Sequence, residues 1–319
     1  MEIFYLTLRQ MLMMFSLIAV GFILRKKGIL PESSDKTMAK METYIFVPAL
    51  SMFTQMTKCT VQSFKENYAL IFYGLIIVLC AIAISYPLSR LFFKKSEAKS
   101  YQRNIYKYAL TFGNYGFVGN FIILGVWGTD FFYKYSLFVF LVGVFCSGWG
   151  MYILIPKEKG ASLLQNLKKG LIQPPLIALL LGMAIGLLNF RPYIPEFIIT
   201  TLDNAGKCQG PVAMVLAGFV IGGYNFKKLL TNKKVYVATL LRLIVLPACI
   251  MLVLRFFGTS KEIMTLALVA FAAPLGLNTI VYPAAFGGET ETGASMAMIS
   301  STLSVITIPL MYLVFIVLM

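Results

Sequence analysis

Long apolar runs set the pattern of this chain. They cover residues 5–24, 37–57, 67–92, 102–127, 131–156, 171–190, 194–224, 234–257, 262–286 and 293–318, with short polar connections between them. Each is about as long as the ~20 residues an α-helix needs to cross a bilayer. Each is too long and too uniformly apolar for a transmembrane β-strand, which takes about 10 residues of alternating polarity. The pattern predicts an all-α polytopic membrane protein with ten transmembrane helices. Glu2 precedes the first run and Arg25-Lys26-Lys27 follows it. That reverses the charge order of a secretory signal, so the run reads as an uncleaved first helix with its N-terminus outside.

Composition sharpens this reading. The chain of 319 residues is 59% hydrophobic and 13% charged, against about 45–50% and 25% in soluble domains. A water-soluble fold, a collagen, a coiled coil and a disulfide scaffold are excluded together. The net charge is +15. Its basic residues sit in short clusters between apolar runs, which points to membrane orientation and away from nucleic acid. With alternation from an outside N-terminus, inner connections hold 19 Lys and Arg and outer ones 7, while Lys207 and Arg242 fall within spans. Basic loops stay cytoplasmic, so both termini are expected outside a plasma or inner membrane. Arg242, about two turns into the eighth run, is expected to snorkel to the inner surface. Histidine is absent, and the five cysteines show no metal or redox spacing. No metal, cofactor or enzymatic activity is expected.

The two halves of the chain look related. Gly21 matches Gly186, Pro48 matches Pro211, Pro87 matches Pro247 and Asn114 matches Asn278, at offsets of 165, 163, 160 and 164 residues. Five spans per copy make the second copy enter from the opposite side, the inverted repeat common among secondary transporters. The expected organisation is residues 1–156 as the first five-helix repeat and 171–319 as the second. Between them, 157–170 forms an amphipathic connector on the inner surface, with Leu163, Leu164 and Leu167 on one face.

Candidate chemistry concentrates in spans 4 and 9. The former reads TFGNYGFVGN, with Gly113, Asn114, Tyr115 and Gly116; the latter reads AAPLGLNTIVYP, with Pro274, Gly276, Asn278 and Thr279. Proline removes a backbone donor, and glycine eases departure from helical geometry. Both spans are expected to break in mid-membrane, where freed backbone groups must be buried in protein or line a wet cavity. Matching breaks in two halves point to a transporter site. The Asn114 and Asn278 amides, with the positive ends of the half-helices, suit a carboxylate. Asp203 and Lys207 in span 7 sit one helical turn apart, either a self-neutralising pair or a coupling and gating pair.

These residues resemble a known family. GFILRKKGILPESSDKTMAKMETYIFVPAL, TFGNYGFVGN, LDNAGKCQGPVAMVLAGFVIG and APLGLNTIVYPAAFGGETETGASMAMISSTLSVITIPL resemble the auxin efflux carrier family in its bacterial form, related to plant PIN carriers and to malonate and malate permeases. The resemblance implies ten helices in two inverted five-helix halves and crossing, broken helices 4 and 9 with substrate beside them. It also implies a scaffold of helices 1, 2, 6 and 7, and a homodimer. On this sequence the crossover falls at Asn114–Gly116 and Pro274–Asn278. The pocket that reads the auxin ring in plant members does not map onto this chain. The expected function is a secondary active transporter that exports or exchanges small carboxylates by alternating access, with lipid as surroundings and proton coupling as an option. The rivals are a cation/proton antiporter, which calls for carboxylates at the breaks, and a non-transporting membrane sensor.

Overall fold

The computed structural model describes residues 2–93, 100–156 and 162–318. Among these all regular structure is helical, with no strand. The first part comprises α1 (Glu2–Lys26), α2 (Ser34–Met41), α3 (Val47–Lys58), α4 (Val61–Asn67), α5 (Ala69–Phe92), α6 (Ser100–Thr111), α7 (Asn120–Phe145) and α8 (Met151–Leu154). The second comprises α9 (Leu163–Leu171), α10 (Pro174–Leu187), α11 (Glu196–Gly222), α12 (Phe226–Leu229), α13 (Lys233–Leu240), α14 (Leu246–Phe256), α15 (Lys261–Ala272), α16 (Asn278–Phe286) and α17 (Glu291–Tyr312). Local chemistry marks the boundaries. Thr60 and Ser63 form a reciprocal capping box at the start of α4, and Ser260 caps α15. Gly28, Gly258 and Gly287, after α1, α14 and α16, take positive φ. The expected connector is helical over Leu163–Leu171; residues 157–161 lie outside the described residues, as do Lys94, Lys95 and Lys99 of the inner basic count.

Among the described residues, six helical stretches are long and apolar enough to cross a membrane: Ile3–Lys26, Val61–Phe92, Tyr101–Leu154, Glu196–Gly222, Lys233–Phe256 and Glu291–Leu318. Pro174–Leu187 is apolar but shorter. The third stretch is not one rod. Gly128 in the middle of α7 has φ 76° and ψ −171°, outside helical geometry. A continuous helix would hold Tyr115 and Tyr135 about 30 Å apart, yet Tyr135 Oη donates to Tyr115 O at 2.9 Å. The chain folds back at Gly128, and α7 is two arms.

Contacts gather the connections at two ends. At one end Lys58 pairs with Asp130, Lys134 with Glu262, and Lys261 donates to Ile316 O. At the other, Lys26 donates to Tyr224 O, Lys234 to Phe92 O, Tyr101 to Leu154 O, and Lys228 pairs with Glu291. Between the ends, α1 packs along α11 and α3 along α10. Glycines permit the close approach. A Cβ on Gly21 would lie 2.0 Å from Val215 O, and one on Gly186 would lie 2.5 Å from Cys59 O.

Large apolar side chains stand exposed on the outer faces of many helices, Phe72, Leu91, Leu181, Val253 and Phe256 among them. In water such a surface aggregates; against lipid it is the ordinary exterior of a multi-pass membrane protein.

Candidate functional site

Both expected breaks are present, and they meet. After α6 the chain leaves helical geometry through residues 112–114, then a π-helical turn, Tyr115–Gly119, leads into α7. After α15 it leaves again through 273–277, and α16 restarts at Asn278. Asn114 N donates to Pro274 O at 2.6 Å across the contact. Gly276 lies against Asn114, and Gly113 is closely enclosed. A Cβ there would stand 2.5 Å from Ala273 O and 2.6 Å from Arg242 Nη2.

The backbone groups freed by the breaks are answered from elsewhere in the fold, as burial demands. Tyr135 donates to Tyr115 O, Ser300 Oγ accepts from Leu275 N at 2.8 Å, and Thr279 Oγ1 donates to Gly276 O at 3.0 Å. Val118 and Gly119 both donate to Asn114 O. The N–H groups of Tyr115, Gly116 and Phe117 therefore precede the first bond of the restarted helix.

A cavity of about 280 Å³ lies beside the crossing. Gly113, Asn114, Tyr115, Gly116, Gly276 and Asn278 are on its wall, six of the eight residues expected at the site. Pro274 and Thr279 are not; their roles are the backbone and hydroxyl bonds just described. Opposite stand Thr43, Val47 and Ser51 from the α2–α3 segment, and Gln173 and Leu176 at the start of α10. The cavity thus lies between the α3–α10 pair and the two breaks. No charged side chain lines it among the described residues.

The two asparagines differ. Asn278 Nδ2 donates to Tyr108 Oη at 2.8 Å, and that hydroxyl lies 3.0 Å from Cys146 Sγ. The half-buried Asn114 amide has no hydrogen-bond partner in the protein among the described residues. Asp203 and Lys207 stand off the cavity and pair with each other at 2.5 Å, with the lysine largely exposed.

Arg242 corrects the expectation of snorkelling. It is 1% exposed and turns inward, with Nη1 donating to Leu110 O and Thr111 O at the end of α6. Its Cζ sits 5.8 Å from the Phe271 ring centroid. Depth from the basic end suggested a side chain that escapes to water; the open carbonyls of a broken helix hold it instead. Sequence reasoning also passed over Glu42. Its carboxylate is fully buried in a π-helical turn, and neither oxygen has a hydrogen-bond partner. Its neighbour Thr43 is on the cavity wall. A lone carboxylate within the apolar run 37–57 was the available signal. Ser136, Ser147 and Gln173 also reach the wall, but carried no signal beyond being single polar residues near or within apolar runs.

Fold and site first define a class: a multi-pass helical membrane protein with a small cavity where two interrupted helices cross. The profile of the family described as membrane transport protein matches residues 6–312. The chain belongs to that family, the auxin efflux carriers that its motifs resemble. It is also 26% identical over 304 residues to an uncharacterized transporter of Methanocaldococcus jannaschii, a match covering 92% of this chain and 94% of that protein.

Proposed function

We propose that this protein is a secondary carrier that exports or exchanges small carboxylates across the cytoplasmic membrane by alternating access. The observation that carries the reading is the crossing of two broken helices at a cavity, with the Asn114 amide unengaged. An unpaired amide and the open N–H groups of Tyr115, Gly116 and Phe117 at the start of the restarted helix favour a carboxylate over a cation. Asn114 and Asn278 bind the carboxylate, Tyr115 and the nearby glycines shape the wall, and Pro274 and Thr279 hold the crossing.

The fold supports ten crossings in two inverted halves. Successive connections fall at alternate ends, and the fold-back at Gly128 divides the longest stretch in two. Packing of α1 on α11 and of α10 on α3 is related by the proposed repeat, with glycines at both close approaches, Gly21 on Val215 and Gly182 on Met52. The end bearing Arg25, Lys26, Lys227 and Lys228 is then cytoplasmic, and both termini are outside. The helices carrying the breaks move against the α1, α3, α10 and α11 scaffold, which we propose also forms the homodimer contact. Asp203 and Lys207 are the candidate coupling or gating pair.

Glu42 supports a second reading, proton coupling or cation antiport, because an unpaired buried carboxylate is costly unless it holds a proton or a cation. Counterflow in proteoliposomes, with malonate, malate, lactate and indole-acetate at two pH values, tests both. Exchange of at least one carboxylate is expected. A pH-dependent gradient effect that E42Q removes would establish the coupling, and sodium or potassium flux without carboxylate exchange would overturn the carrier assignment.

A further inference from the structure

We propose that Arg242 is the fixed positive charge against which the bound anion is balanced, a positioning residue that acts across Gly113. The proposal rests on the reading of the crossing as an anion site. The guanidinium is buried, and its Nε and Nη2 have no acceptor. None of the ion pairs among the described residues involves it. Nη1 alone is engaged, at 3.4 Å from Leu110 O and 3.3 Å from Thr111 O. Carbonyls at a helix end offer roughly half a unit of negative charge, so a full positive charge remains under-compensated in a water-poor interior. Such a charge is expensive. Nη2 sits against Gly113, whose other neighbour along the chain is Asn114, and both residues line the cavity.

With no charged side chain on the wall among the described residues, and the guanidinium just behind Gly113, one guanidinium answers one carboxylate. A singly charged anion leaves the crossing neutral, and a doubly charged one leaves it negative. The glycine between them keeps the charge close: any side chain at 113 would clash with both Nη2 and Ala273 O.

A purely structural strut and a counter-charge differ in the empty protein. Removing a strut weakens it, whereas removing an uncompensated buried charge does not. The experiment measures thermal unfolding of the purified full chain in detergent, with and without lactate, indole-acetate, malonate and malate. The proteins are wild type, R242K, R242Q and N114A. At least one singly charged anion is expected to raise the wild-type midpoint, and by more than malonate or malate does. R242K keeps a shift. R242Q loses it, with affinity about tenfold or more weaker, while its anion-free midpoint stays at or above wild type. N114A also loses the shift.

If R242Q keeps the full shift while N114A loses it, the counter-charge is overturned and the site reading stands. A lower anion-free midpoint in R242Q, or no folded R242Q, marks a strut and also overturns the proposal. If no anion shifts the wild type, or N114A and R242Q both keep the shift, the site reading falls and this proposal with it.

Discussion

At the residue scale, two neighbouring glycines separate conformational need from space. A Cβ on Gly113 meets a carbonyl and a guanidinium, whereas one on Gly116 meets nothing within 4 Å. Overpacking of this kind costs about 1–3 kcal/mol. Gly113→Ala should therefore lower the unfolding midpoint and abolish exchange, and Gly116→Ala should leave the midpoint unchanged. Equal midpoints in the two variants would contradict the enclosed crossing. Ser300→Ala strips the partner of Leu275 N and should cost about 1–3 kcal/mol, read in the same melts. Asp203→Asn should leave carboxylate exchange intact and abolish only its coupling to an ion gradient; lost exchange would place Asp203 in binding. The breaks were legible because glycine and proline carry their meaning locally. Their partners were not. Asn278 reaches Tyr108 across 170 positions, and Arg242 reaches Leu110 across 132. No local pattern encodes such pairs, and Arg242 was misread because depth was its only sequence clue.

At the scale of elements, the apolar runs lie where the helices lie, yet run and helix are not the same object. The run at 37–57 is divided by a π-helical turn at Glu42–Phe46, and the run at 262–286 by its break. Runs four and five join into one helical stretch that only backbone geometry at Gly128 resolves into arms. Hydropathy reports which residues shun water; it does not report where the backbone turns. If α7 folds back at the outer face, Thr129→Cys on a cysteine-free background reacts with a membrane-impermeant thiol reagent added outside. Protection from both sides would mean a single buried rod there. Close contacts at Gly21 and Gly186 make a paired expectation: Gly21→Leu and Gly186→Leu each drive a side chain into a facing backbone, and both should lower folded yield. Tolerance of both would undo the close packing of α1 on α11 and of α10 on α3.

At the scale of the whole molecule, the proposed carrier joins the closely packed α1–α11 and α3–α10 pairs to a crossing that carries the proposed solute site. The cavity lies between them, and in the proposed mechanism relative motion of the two parts exposes it in turn to each side. The most direct measurement is exchange of a labelled carboxylate by wild type, Asn114→Ala and Asn278→Ala in matched proteoliposomes, with the unfolding midpoint of each recorded. A hydrogen bond to a charged group contributes about 1.5–3 kcal/mol, or roughly 10- to 100-fold. The account predicts exchange in wild type, loss of that order in each variant, an unchanged midpoint in Asn114→Ala, and a lower one in Asn278→Ala, which also gives up its bond to Tyr108. Exchange at the wild-type rate in both variants would contradict it.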